Sequence, residues 1–278
     1  MEQPFSDILP DHDLPVREVA ELTRETAHAA PSPQELREIF SLLDYTTLDG
    51  TDNPQRIDSF CRRIYDFANR GLPYPAAICI YPPFIAQVKK LLHDTPVRVA
   101  TTAAAFPGGQ LPMHLKLAEI RYAVEEGADE VDVVISRGTM LAGEYQVVAS
   151  EIEAMRQAAG NLTLKVILET GELKQPDIIA RASRIAIMAG ADFIKTSTGK
   201  TTPAATPEAA YVMLKVIADY YRNTGTMVGI KPAGGIADVN SAVVYYRLVG
   251  ELLGTPWLSP AHFRIGASRL ADRIAETI

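Results

Sequence analysis

Three stretches place ionisable side chains inside short apolar runs. In Asp192-Phe193-Ile194-Lys195-Thr196-Ser197-Thr198-Gly199-Lys200 a lysine ends such a run, which opens at once into a hydroxyl-rich turn. Gly229-Ile230-Lys231-Pro232-Ala233-Gly234-Gly235 repeats the arrangement, and Glu130-Val131-Asp132-Val133-Val134 carries a carboxylate. An ammonium within a strand costs several kcal/mol unless it is paired or gives up its proton. At its ordinary pKa of about 10.4 a lysine is neutral about once in 2,500 molecules at pH 7, so attack on a carbonyl needs a depressed pKa. A neighbouring ammonium and partial burial that lower it by about three units, worth about 4 kcal/mol, raise the reactive fraction to tens of per cent. Lys195 and Lys231 together therefore point to Schiff-base chemistry, and an inward-facing Asp132 needs a cationic or hydrogen-bonding partner that Lys165, Lys195 or Lys231 could supply. The bland alternatives are a Lys195 that snorkels out of the strand end and a purely structural ion-pair network that includes Lys165. Such networks stabilise no better than apolar replacements, which favours a functional reading.

A second set suits an anion. Gly199-Lys200, Gly234-Gly235-Ile236 and Gly266-Ala267-Ser268 are glycine turns that expose backbone N–H groups. Each alone is an ordinary tight turn, but the three together resemble a phosphate cradle.

These residues need a scaffold that gathers strand ends. Eight short apolar runs alternate with helical windows: 41–44, 76–81, 97–102, 131–135, 164–168, 193–196, 227–230 and 263–266. The windows between them include 113–126, 146–159, 175–189, 207–221 and 238–253. Strict alternation predicts parallel strands with crossover helices, and eight units predict a single α/β domain of the (β/α)8 TIM-barrel type spanning 35–278. In that fold the ends of the strands carry the chemistry. A doubly wound sheet is the runner-up, but no early strand is followed by Gly-x-Gly-x-x-Gly. Residues 1–34, with prolines at 4, 10, 15, 31 and 33, read as an N-terminal extension with one helical window from Pro15 to about Ala30. Ser32 followed by Glu35 has the form of a capping box opening the next helix.

The 278 residues, 47% of them hydrophobic, can bury a barrel-sized core. A net charge of −7 argues against nucleic acid or an anionic membrane as partner. No apolar run approaches a membrane span, and the N-terminus has no secretory pattern. Cys61 and Cys79 stand far apart without a metal-binding spacing, which fits a reducing, cytoplasmic setting. His12, His28, His93, His114 and His262 avoid the strand ends and read as surface or packing residues. Cys79 lies inside the second run and reads as core.

The stretches 192–200, 130–134 and 229–235, with Ala-Ile-Cys-Ile-Tyr (77–81) and Phe-Arg-Ile-Gly-Ala-Ser (263–268), resemble the 2-deoxyribose-5-phosphate aldolase family. The resemblance runs from about Leu42 to the C-terminal helix and leaves out residues 1 to about 34. It implies Lys195 as the Schiff-base lysine, Lys231 as the second active-site lysine and Asp132 as the proton-relay carboxylate. It also implies substrate contacts at Asp44, Thr46, Leu48 and Thr198, and phosphate contacts at Gly199, Lys200, Gly234, Gly235, Ile236 and Ser268. The implied reaction is reversible cleavage of 2-deoxy-D-ribose 5-phosphate to D-glyceraldehyde 3-phosphate and acetaldehyde, with no metal or organic cofactor. Small phosphorylated sugar and aldehyde substrates are then the partners, and the reading leaves room for a homo-oligomer.

Three departures bear on substrate preference. The arginine common after the Gly-Gly-hydrophobic motif is Ala237, the asparagine before the Ala-Thr-Pro segment is Ala205, and Arg269 follows Ser268. Arg269 is therefore the candidate to replace the missing arginine. Family members often end in a tyrosine that assists proton transfer, whereas this sequence ends Glu276-Thr277-Ile278, which leaves that task to another group or slows it. Three rivals stay open on residues alone: a lysine aldolase with another acceptor, a cofactor-free phosphosugar isomerase or epimerase with Asp132 as base, and a silent phosphosugar-binding barrel.

Overall fold

Ser32 accepts a hydrogen bond from the Glu35 amide at 3.1 Å and so caps the helix Pro33–Ser41, as its sequence position predicts. The Glu35 carboxylate turns instead to Arg247, at 2.9 Å and 3.0 Å, and ties this helix to Val239–Leu253. From there the computed structural model, which describes residues 19–21, 23, 24 and 30–278, alternates strand and helix to the C-terminus.

The strands are β1 (Leu43–Thr46), β2 (Ala77–Ile80), β3 (Arg98–Ala103) and β4 (Glu130–Val134), then β5 (Thr163–Ile167), β6 (Phe193–Lys195), β7 (Gly229–Lys231) and β8 (Ile265–Ala267). They pair in parallel in the order β7-β6-β5-β4-β3-β2-β1-β8. Parallel bridges from Ile230 to Phe263 and from Ala233 to Gly266 join the two remaining edges, so the sheet closes into a barrel. A doubly wound sheet would have left two edges open. The expected strands match within about two residues, the largest shifts being at β1, β7 and β8, where the apolar runs begin two residues or so before the strands. Ser41 closes a helix instead of opening β1.

Alternation along the strands sorts side chains into two environments. Outward-facing Leu43, Tyr45, Val131, Val133, Leu164, Val166, Ile194 and Ile230 belong to the main hydrophobic core under the helices. Asp44, Asp132, Lys165, Lys195 and Lys231 take the other face, in the lumen. Barrel interiors are ordinarily filled by Val, Ile and Leu. Small residues on that face, Ala77, Ala100, Gly229 and Gly266, leave room for long charged side chains. A Cβ at Gly266 would lie 3.2 Å from Lys231 Cε.

Most of the helical window 15–30 lies outside the described residues. Val19, Ala20, Glu21, Thr23 and Arg24 are helical, and Thr23 Oγ1 donates to the Val19 carbonyl at 2.7 Å. Val19 is only 2% exposed, and Thr23 lines a cavity with Gly235, Ile236 and Tyr245. This part of the extension packs on the barrel.

Candidate active site

Seven charged side chains are buried in the lumen: Asp44, Glu130, Asp132, Lys165, Lys195, Lys231 and Arg264. Their positions follow from register. Lys195 and Lys231 are Cα partners on β6 and β7, and Asp132 is the partner of Lys165 across β4 and β5. Both Lys195 Nζ and Lys231 Nζ donate to the same oxygen, Asp132 Oδ2, at 2.7 Å. Lys165 Nζ donates to Asp132 Oδ1 at 3.0 Å and lies 2.5 Å from Glu130 Oε2. Lys231 Nζ also lies 2.5 Å from Asp44 Oδ2. Arg264 closes the base, with Nη1 2.6 Å from Asp44 Oδ1 and Nη2 2.7 Å from Glu130 Oε1.

Three carboxylates thus face four potential cations, and one amine must lose its proton for the cluster to be neutral. Burial is severe enough to make that choice matter. Lys195 is the one whose pKa is lowered, first by burial and further by the Lys231 charge, with Asp132 pulling the other way. Burial also opposes charge on Lys231 and Lys165, but Asp132 and Asp44 on the first, and Asp132, Glu130 and Asp44 on the second, hold both ammoniums above the ordinary lysine value. For Asp132 burial works toward protonation, yet Lys165, Lys195 and Lys231 keep its carboxyl well below the usual carboxylate range. The cluster therefore favours the ammonium form of Lys165 and Lys231 around one carboxylate and disfavours it at Lys195.

Of the seven, Lys195 alone lines the cavity of about 280 Å³ above them, a volume suited to a small ligand. Thr46, Leu48, Thr198, Gly199, Lys200, Gly234, Gly235, Ile236, Ser268 and Arg269 line it too, so all of the expected binding residues except Asp44 meet there. Asp44 is fully buried below it and serves as counter-ion to Lys231 and Arg264. Asp44 alone of the expected binding residues does not line the cavity. Cys79 is also fully buried, in a small apolar cluster with Leu48, Ala77 and Ala100.

The glycine turns take the form an anion cradle requires. Gly234 has φ +83°, and a Cβ there would come within 2.8 Å of Gly199 Cα and 2.7 Å of Ala204 Cβ, so the turns after β6 and β7 touch because neither has a side chain. Thr196 Oγ1 accepts from the Ala233 amide at 3.0 Å and locks the two strand ends together. Lys200 Nζ donates to the Leu48 carbonyl at 2.5 Å, across the mouth. Arg269 is exposed at the start of the helix Arg269–Thr277.

Sequence reasoning did not single out Glu130 and Arg264, although each lies two residues before a lumen residue, Asp132 and Gly266, and the period of two would have found them. It also missed Arg56, which lines the cavity while paired with Asp49 at 2.5 Å and Asp52 at 3.1 Å. No local pattern marks an arginine near the start of a helix as a cavity residue.

A (β/α)8 barrel with a depressed lysine at the end of β6, a second lysine and a carboxylate beneath it, and glycine turns beside it defines a lysine-dependent aldolase. The chain belongs to the DeoC/LacD family of aldolases, whose family model matches residues 44–246. It is 42% identical over 251 residues to the deoxyribose-phosphate aldolase of Homo sapiens, covering 86% of this chain and 79% of that protein. To the deoxyribose-phosphate aldolase of Agrobacterium fabrum it is 45% identical over 241 residues, covering 86% and 89%. Its fold matches the tetrameric deoxyribose phosphate aldolase of Aeropyrum pernix with a TM-score of 0.70 at 23% identity, covering 93% and 97% of the two chains.

Proposed function

We propose that this protein catalyses the reversible aldol cleavage of 2-deoxy-D-ribose 5-phosphate to D-glyceraldehyde 3-phosphate and acetaldehyde through a Schiff base on Lys195. The observation that carries the reading is the lowered pKa of Lys195 beside Asp132 and the protonated Lys231, in a cavity that ends on glycine turns. The neutral amine adds to the open-chain aldehyde at C1. The carbinolamine then loses its hydroxyl as water, for which Lys231 and Asp132 relay the proton. The iminium draws the electrons of the C2–C3 bond as the C3 hydroxyl gives up its proton, which releases glyceraldehyde 3-phosphate and leaves an enamine. Protonation at C2 and hydrolysis free acetaldehyde and restore Lys195.

The phosphate lies against the amides of Gly199, Gly234, Gly235 and Ile236 and the ammonium of Lys200, with Ser268 opposite. Arg269, with no ion-pair partner among the described residues, supplies the guanidinium that Ala237 lacks. An isomerase with Asp132 as base fits less well: its oxygens are engaged by three lysines, and a carboxylate held so far down is a weak base. Residues 35–278 form the catalytic domain and 1–34 an N-terminal extension, of which Val19 and Thr23 pack on the barrel. A homo-oligomer in the cytoplasm completes the reading. It is supported by the tetramer named for the Aeropyrum pernix protein and by two free, buried cysteines. No described helix is long and apolar enough to cross a membrane.

Incubation with acetaldehyde and borohydride tests the chemistry. An ethyl group fixed on Lys195, found by peptide mass mapping, is the expected result. Absence of the adduct, or its appearance on another lysine, overturns the assignment.

A further inference from the structure

Glu169 is a fully buried carboxylate that the reaction does not use. It follows β5 in a left-handed backbone conformation, φ 57° and ψ 60°. That turn aims its side chain across at the residue three places beyond Lys195. Glu169 Oε2 accepts from Thr198 Oγ1 at 2.5 Å, and Oε1 accepts from the Thr198 amide at 3.2 Å. Arg137 holds the carboxylate in place: its Nη1 is 3.5 Å from Glu169 Oε2 and 2.9 Å from Glu172 Oε2, and its Nη2 donates to the Pro107 and Gly108 carbonyls. One guanidinium thereby links the loops after β3 and β5, and through Glu169 the loop after β6.

This arrangement decides what the Thr198 hydroxyl can do. A hydroxyl has one proton and two lone pairs. The proton is committed to Glu169, and one lone pair takes the Lys200 amide at 3.1 Å. What remains toward the cavity is a single lone pair, so Thr198 can only accept. A phosphate or carbonyl oxygen is repelled there, and a ligand hydroxyl is welcomed.

We propose that Glu169, braced by Arg137, is a positioning residue that polarises Thr198 into an obligate acceptor for the C4 hydroxyl of the substrate. This rests on the aldolase reading above. Thr198 lines the same cavity as Lys195 and the glycine turns, so with C1 on Lys195 and the phosphate on those turns its hydroxyl is assigned to the middle of the sugar, C3 or C4. The C3 oxygen changes from hydroxyl to carbonyl during cleavage, which an obligate acceptor would oppose. The C4 oxygen stays a hydroxyl throughout. The same contact makes the reverse reaction select acceptor aldehydes with a hydroxyl next to the carbonyl.

The test compares kcat/KM in the synthetic direction for D-glyceraldehyde 3-phosphate and for 3-phosphooxypropanal, which lacks only that hydroxyl. Wild type is expected to prefer the first, and Glu169→Gln, whose amide can donate to Thr198 and free its proton, to lose at least about tenfold of the preference. The loss should fall on glyceraldehyde 3-phosphate, and Thr198→Val should remove the preference equally, with no further loss in the double variant. Thr198→Ser should restore it, which keeps the test open if Glu169→Gln does not fold. Equal losses on both acceptors in Glu169→Gln, or a preference that survives Thr198→Val, overturns the proposal. Borohydride trapping of acetaldehyde on Lys195 is read in parallel: its failure in wild type defeats the Schiff-base reading, whereas its persistence in Glu169→Gln isolates the effect to hydroxyl recognition.

Discussion

At the scale of single residues the function turns on one proton. Four basic groups share three carboxylates, and Lys195, held between Asp132 and the cavity, is the one lysine of the three whose pKa is lowered. Lys195→Met is expected to abolish turnover, since no other lysine of the buried cluster lines the cavity. Asp132→Asn is expected to keep the fold and lose at least about 100-fold in kcat. Near-normal rates in either folded variant would refute the corresponding role. Lys231→Leu removes the fixed positive charge and leaves three carboxylates facing three cations, so Lys195 is favoured as an ammonium. Its pKa should rise, and the rate of borohydride trapping by acetaldehyde, plotted against pH, should move to the alkaline side. An unchanged profile would show that the two lysines are not coupled.

At the scale of elements, the strand ends and the turns after them divide the labour. The strands set the lysine and carboxylate layer by register, and the glycine turns shape the anion site. Gly234→Ala places a methyl group against Gly199 and Ala204 at a φ that disfavours a side chain. We expect a rise of at least about tenfold in KM for deoxyribose 5-phosphate, while acetaldehyde trapping on Lys195 continues. Arg269→Ala should raise the same KM several-fold and leave cleavage of unphosphorylated deoxyribose unchanged. Equal effects on both sugars, or none on either, would remove Arg269 from the phosphate site.

For the molecule as a whole, the extension is the part whose role the sequence leaves open. Truncation to Ser32 is expected to leave activity within a few-fold, with any effect on stability or assembly. The burial of Val19 gives that effect a physical source, because a fully buried valine is worth about 1.5–3 kcal/mol. The truncated protein should melt several degrees lower and retain its kcat, measured by thermal unfolding and steady-state assay. A large fall in kcat would mean that the packing of Thr23 beside Gly235 and Ile236 sustains the anion loop itself.

Much of this protein is legible in its sequence because its signals are local. Apolar runs alternating with helical windows define parallel strands and crossovers, and lysines at the ends of two such runs mark the chemistry. Gly199 after β6 and the Gly234-Gly235 pair after β7 announce tight turns, and Ser32 announces a helix start. Other features depend on residues far apart in the chain. Whether Asp44 touches substrate or neutralises Lys231 depends on depth in the lumen, which no local pattern encodes. Arg264 pairs with Asp44 and Glu130 across the barrel, and Arg137 reaches Glu169 from another loop. Above all, the sequence supplies the lysines without saying which is neutral. That choice is made by burial and by the count of opposite charges within about 4 Å, quantities that exist only once the barrel has closed.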